Sequence, residues 1–410
     1  MASKHYHYRI YVLTVDIVVQ NPAFGLAHIR DLTEIFTRYS AELCDVLSEE
    51  IAKQGGAVAT VDMLSWLSKM TLDVIGRAGF NYEMQALQGQ SSELSDALST
   101  IFKSTPLLCL IQILRAIIPA LRPIPAGNDA QVRVAMQTIA RIGKVLLHDA
   151  EIPASHEEGT GEGKGKVRDL LSLLVRANMS KDIHESLRMS EEDVLSQIAS
   201  MIVAGHETTS TATTWALHAL TMYPEMQSRL RKELRAVQVH EPTMNDLSSL
   251  QYLDCVVRES LRVYPPVTEL MRVAAKDDVL PLSTPIIDGY GVAHYELPLA
   301  QGTEIILPFL SMNHDPATWG PDAAEFRPDR WLDLPETVKA VPGVWGHQMT
   351  FSGGPRACIG YRFSLVEFEF EAAVPSTDVT SRTFIVNRPM LKSDVQRGSQ
   401  LPMIIRPVGH

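Results

Sequence analysis

A single long run of helical sequence, from Ser190 to Leu220, does most to limit what this chain can fold into. Ser190 is placed to cap it, and Glu191 and Glu192 put negative charge in the first turn, where the helix dipole favours it. Helical periodicity continues on both sides. Leu32, Ile35, Phe36, Tyr39, Leu43, Val46, Leu47 and Ile51 form a stripe spaced by three and four that stops before Gly55 and Gly56. Asp62 to Gly79 and Leu107 to Leu121 read as helices, and so do Pro224 to Val237 and Asn245 to Val263. Strand-like segments are confined to Val267–Ala274, Thr303–Leu307, Thr383–Val386 and Met403–Arg406. The expected fold class is therefore mainly α with a minor β component.

The stretch from Pro153 to Lys166 is rich in Gly, Glu, Lys and Ser and reads as a flexible surface loop. Gly159 to Lys166 has the look of a phosphate loop but fails its spacing, and no apolar strand precedes it. The chain has 410 residues, 45% hydrophobic and 21% charged, which suits an ordinary globular protein with a well-buried core. A net charge of -11 leaves no electrostatic footprint for nucleic acid. Four cysteines at irregular spacings do not make a disulfide scaffold, and Cys44, Cys109 and Cys255 fall in apolar helical patterns as expected buried thiols. Ile10 to Val19 is about half the length a spanning helix needs and carries Asp16. As written, the chain is expected to be soluble and cytoplasmic.

The residues from Phe351 to Gly360 carry chemistry. They set Cys358 behind a glycine-rich turn, beside Arg356, at the start of a helix that begins near Tyr361. Backbone N–H groups and the helix dipole would lower the thiol's pKa there and favour the anion, a form suited to a soft or redox metal. The pattern F-x-x-G-x-R-x-C-x-G is complete, and it resembles the haem-binding loop of the cytochrome P-450 family. By that resemblance Cys358 is the metal ligand, and Phe351, Gly354, Arg356 and Gly360 belong to the loop that binds the cofactor.

A second segment, Ala204-Gly205-His206-Glu207-Thr208-Thr209, lies midway along the long helix. A zinc-protease reading of His206-Glu207 fails because Ser210 stands where a second histidine is required. On a helix, Ala204-Gly205 also suits close packing, and Thr208-Thr209 suits side chains that bond back to the backbone. The segment resembles the oxygen-binding groove of the P-450 distal helix. That resemblance makes Ala204 and Gly205 part of the cofactor pocket, and Glu207 and Thr208 the catalytic proton relay.

Glu259 and Arg262, three apart on a helix, can pair on one face. With Phe326-Arg327-Pro328-Asp329-Arg330-Trp331 they resemble the buried Glu–Arg–Arg lock of the family, so Glu259, Arg262 and Arg330 are expected to be structural. Arg272 and Arg356 would bind the haem propionates, since a planar guanidinium fits a carboxylate. Ile202, Val203, Val267 and Leu270 would line an apolar pocket.

The resemblance runs from Asn21 to the end of the chain and is nearest the eukaryotic microsomal type, whose members are typically held at the endoplasmic reticulum membrane. It divides the chain into a divergent N-terminal remnant, residues 1–20, and a single haem domain, residues 21–410, with the flexible loop at 153–166. Two departures stand out. Residues 1–20 contain no W-x-x-x-R helix and leave the N-terminal β region incomplete. After Glu367, Phe368-Glu369-Phe370-Glu371 alternates like the start of a strand, about three helical turns sooner than in the family. The implied function is a monooxygenase that uses haem b (iron protoporphyrin IX). It would insert one atom of O2 into an apolar small-molecule substrate, with electrons from an NADPH-dependent flavoprotein reductase and no nucleic-acid partner. The alternative reading is a truncated, non-catalytic remnant; a haem sensor or carrier is a third.

Overall fold

The computed structural model describes residues 23–90, 93–94, 96–97, 100, 129–156, 169–179, 188–237, 242–369, 379–383, 387–391 and 399–405. The apolar stripe of the N-terminal region becomes a short helix α1 (Leu26–Asp31) and a long helix α2 (Thr33–Lys53), which buries Phe36, Tyr39 and Leu43. Strand β1 (Ala59–Asp62) leads into α3 (Met63–Phe80), closed by Asn81 in the left-handed conformation at φ 51. Helices α4 (Asp129–His156) and α5 (Leu170–Met179) precede the long central helix α6 (Glu191–Met222). Ser190 and Asp193 form a full capping box at its start, so the expected cap is present with Asp193 as its second half.

Helix α7 (Pro224–Ala236) follows. The single helix expected from Asn245 to Val263 is instead two, α8 (Met244–Ser248) and α9 (Gln251–Val263). Leu250 is extended between them, and the Glu233 carboxylate accepts Tyr252 N at 2.9 Å and Leu253 N at 2.8 Å. A carboxylate from α7 thereby caps α9 from outside, which a local periodicity cannot reveal.

Beyond α9 lie β2 (Leu270–Val273), β3 (Asp278–Ile287), β4 (Ala293–Leu299) and β5 (Glu304–Leu307), then the short α10 (Phe309–Asn313) and α11 (Pro316–Trp319). Helix α12 (Tyr361–Glu369) is followed by β6 (Val379–Thr383), β7 (Asn387–Leu391) and β8 (Pro402–Ile405). The strands form antiparallel pairs, β2 with β5, β3 with β4, β6 with β7, and β1 with β8, Ala59 opposite Ile405. The architecture is mainly helical with small sheets, as expected.

Helix α6 runs through two apolar cores. Its first half packs on α3 and α4 in a core around Ile198 and Ile202 to which α2 and α5 also contribute. Its second half joins α9 and α12 around Ala216, Leu220, Val256 and Phe368.

Several expectations change. Residues 153–156, read as loop, are the last turn of α4, and the rest of that stretch lies outside the described residues. So do Ile10 to Val19, Leu107 to Leu121 and Cys109. Cys44 is exposed on α2 rather than buried, while Cys255 is buried. Phe368 and Glu369, read as the start of a strand, are helical: Phe368 is buried against α9 and α6, and that contact decides its conformation. The β3–β4 hairpin was not anticipated. It exposes apolar residues on both faces, the consecutive Ile286 and Ile287 among them, so it lacks the alternation that announces a half-buried strand. Among the described residues no helix is long and apolar enough to cross a membrane.

Candidate active site

Backbone contacts hold the cysteine loop closed. A Cβ on Gly353 would meet the Pro342 carbonyl oxygen at 2.0 Å, and one on Gly343 would meet that of Gln348 at 1.9 Å. No side chain fits at either glycine, because two chain segments touch there. Val344 N donates to Ser352 O at 3.0 Å across the same contact. Ser352 then turns left-handed at φ 60 and Gly354 at φ 70, with open space beside Gly354. The chain closes on itself where Cys358 N donates to Phe351 O at 2.9 Å. A Cβ on Gly360 would lie 3.9 Å from the Phe24 ring, an ordinary contact, and α12 begins at the next residue.

Cys358 opens onto a cavity, but the protein packed around its sulfur pushes the thiol above its ordinary value. The Gly360 N–H pulls the other way and is outweighed. This reverses the expectation of a lowered thiol pKa. The helix proper starts three residues beyond the sulfur, so one N–H reaches it while desolvation acts in full.

Opposite the loop, α6 presents a small-residue stretch. A Cβ on Gly205 would lie 3.0 Å from Ile75 Cδ1, so this glycine is where α6 closes on α3 rather than part of the cavity lining. Ala204 is exposed, and its carbonyl accepts the Thr208 hydroxyl at 2.6 Å. Thr208 and Thr209 line the cavity. Glu207, one residue away, is absent from that lining; it is buried and ion-paired to Arg388 of β7. Its other oxygen is 3.5 Å from His206 Nδ1, and His206 Nε2 meets Ser68 Oγ of α3 at 2.8 Å. Burial pushes the His206 imidazole down to about 3, so it is neutral. Glu207 and Thr208 are thus neighbours in sequence whose side chains hold different partners.

The cavity between loop and helix has a volume of about 190 Å³ and is open to solvent on one side. Its walls are apolar, with Leu261, Val267, Leu270, Phe309, Phe351 and Phe368, and Arg356 shares the lining with Cys358. Val267 and Leu270 lie where expected. Ile202 does not: it is fully buried in the first core, and Val203 packs beside that core. Arg272 also stands outside the lining, its guanidinium donating to the Met271 carbonyl at 3.0 Å. Haem fits this donor set, since a thiol and an arginine share one wall and small or apolar side chains make up the other.

Below the loop, Glu259 is completely buried with Arg262 and Arg330. Its Oε1 accepts Arg262 Nη2 at 2.8 Å, the Arg327 backbone N–H at 2.8 Å and Arg330 Nε at 3.4 Å. Its Oε2 accepts Arg262 Nε at 2.9 Å and the Trp331 indole N–H at 3.0 Å. Arg330 reaches on to Asp322 at 2.8 Å, and Arg262 Nη1 donates to the Asn313 carbonyl at 2.7 Å. The Asn313 side chain bonds Thr350 Oγ1 at 2.9 Å and Met349 N at 3.0 Å, immediately before Phe351. The expected triad is assembled, and Asn313 and Thr350 carry it to the cysteine loop.

Sequence reasoning missed Asn313, Thr350 and Arg388, which act through contacts distant in the chain, and Gly343, Gly353 and Asp322, whose partners are nearer but lie across a turn. Only Gly353 gave a local sign, standing inside the loop motif.

The cytochrome P-450 family model matches residues 18–370. The chain belongs to the cytochrome P-450 family. It is 45% identical to cytochrome P-450 monooxygenase 205 of Postia placenta and 46% identical to monooxygenase 128 of the same fungus. Each alignment covers 95% of this chain and 74% of the relative. It is also similar to cytochrome P-450 monooxygenase claU of Ampulloclitocybe clavipes, 33% identical over 94% of this chain and 74% of that protein. Membership makes this P-450 an oxidoreductase of the haem-thiolate monooxygenase kind.

Proposed function

We propose that residues 21–410 form one haem domain that binds haem b and inserts one oxygen atom of O2 into an apolar small molecule. Electrons would come from an NADPH-dependent flavoprotein reductase. The observation that carries this reading is that Cys358, on the loop before α12, and Thr208, on α6, border the same apolar cavity. When bound, haem supplies the oxygen-activating redox chemistry.

The chain's own residues would hold, orient and protonate. Cys358 is the metal ligand, on a loop fixed by the Gly343–Gly353 contact and braced through Asn313 by Glu259, Arg262 and Arg330. Arg356 offers a fork for a propionate carboxylate. Arg272 serves the second propionate only by leaving the Met271 carbonyl. Phe351, Gly354 and Gly360 shape the cradle, while Ala204 and Gly205 keep α6 slim. Val267, Leu270 and Phe309 exclude water and favour an apolar substrate. Thr208 and Glu207 form the proton relay, in which the Thr208 hydroxyl gives up its bond to Ala204 and passes a proton at Oγ1.

The test is the reduced, carbon-monoxide-treated spectrum of the chain expressed with a haem supply. A strongly red-shifted Soret band is expected, and Cys358→Ser should abolish it. Thr208→Ala should keep the band and lower the product formed per oxygen consumed with any apolar compound the chain turns over. Absence of haem uptake would sink the enzyme reading, and unchanged coupling in Thr208→Ala would sink the relay.

A further inference from the structure

Glu207 is only 3% exposed, and the charge that balances it comes from the far end of the chain. Without a partner, an ionised carboxylate at that depth would cost several kcal/mol. His206 contributes no positive charge, being neutral, and it ties the same spot to α3 through Ser68. Arg388 therefore supplies the counter-charge from β7, in a hairpin with β6. The Arg388 side chain is one-quarter exposed, so one end of the pair is buried beside the cavity and the other reaches the surface. Next to Arg388, Pro389 O accepts Gln400 N at 3.1 Å, which links the hairpin to the segment entering β8. On the cavity side Thr208 faces inward while Glu207 does not.

We propose that Arg388 is a positioning residue for the distal acid: it turns the Glu207 carboxylate away from the cavity, so that seating the C-terminal hairpin and orienting the acid are one event. By linkage, whatever lifts the hairpin frees the carboxylate, and whatever draws the carboxylate inward loosens the hairpin to the same extent. The consequence for turnover rests on the haem-thiolate reading; the tie itself does not.

Two measurements on the full chain separate these. Amide hydrogen exchange at Asn387, Arg388, Met390 and Leu391, with or without haem, is compared in Arg388→Gln, Glu207→Gln, the double variant and Arg388→Lys. Each Gln variant should exchange at least about tenfold faster, the double variant no faster than either alone, and Arg388→Lys near the native rate. Unchanged exchange in Arg388→Gln, or additive effects in the double variant, would overturn the tie. In the haem-loaded, reduced protein, carbon monoxide is the probe and its infrared stretch the readout. Arg388→Gln should shift or broaden that band, and adding Glu207→Gln should restore it. A band that Arg388→Gln leaves unchanged would overturn the positioning role. Failure to take up haem would count against the functional reading, while the exchange result would still decide the tie.

Discussion

His206 shows how a single residue can set the response of this P-450 to acid. Its imidazole is pushed down to about 3 by burial, against 6.5 when unperturbed. Below pH 6.5 the unfolded chain takes up a proton on this ring, and the folded chain does not until about 3. Stability from this group is complete at neutral pH and lost as pH falls across that window, at about 1.4 kcal/mol per unit. Glu369, pushed up to about 7 by burial and by Asp254, acts in the opposite sense from about 7 down to the ordinary glutamate range. A difference measurement isolates the histidine: His206→Gln, which can keep a bond to Ser68, should flatten the fall in urea midpoint between pH 6.5 and 4. Equal slopes in the two proteins would refute this. Nothing in the sequence foretold it, because His206-Glu207 shows two polar residues and not the depth at which α3 and β7 bury them. Thr208 was more legible, since a threonine four residues after Ala204 has only the helix backbone or the cavity to address.

At the scale of elements, the Glu259 lock joins α9 to α10, to the loop carrying Asp322 and, through Asn313, to the residues before Phe351. Five hydrogen bonds converge on one carboxylate. Removing the acid would strand two buried guanidinium groups, so Glu259→Ala should cost about 3–5 kcal/mol, read by chemical denaturation. A loss below about 1 kcal/mol would mean that water or Asp322 replaces it. Glu259 and Arg262 were readable in advance because residues three apart share a helix face, while Arg330 was legible only through the resemblance of F-x-P-x-R-W to the family segment. The α8–α9 break and the β3–β4 hairpin were not, since one depends on Glu233 from another helix and the other exposes apolar side chains on both faces. Gly205 lies between these cases. The sequence allowed either a groove or close packing, and the lack of room for a Cβ, which would lie 3.0 Å from Ile75, identifies packing.

Across the whole molecule, β8 fastens the C-terminal segment to the N-terminal half. Met403 is fully buried against the first core, while Ile404 on the opposite face is 44% exposed. Met403→Ala should therefore cost about 2–5 kcal/mol and Ile404→Ala less than about 0.5, measured by equilibrium unfolding. Similar losses from both would show that β8 does not seat as described. Leu401 N donates to Asp62 Oδ1 across 339 positions of sequence. At roughly 5–20 residues per second of synthesis, β1 waits on the order of 20–70 s for its partner. For that time, while the two helical cores are still being made, the edge of β1 stays open and able to pair with any passing strand. A polypeptide stalled or clipped between Gly360 and Leu401 would have the cysteine loop complete and this seam open, so the seating of β8 reports whether synthesis ran past it.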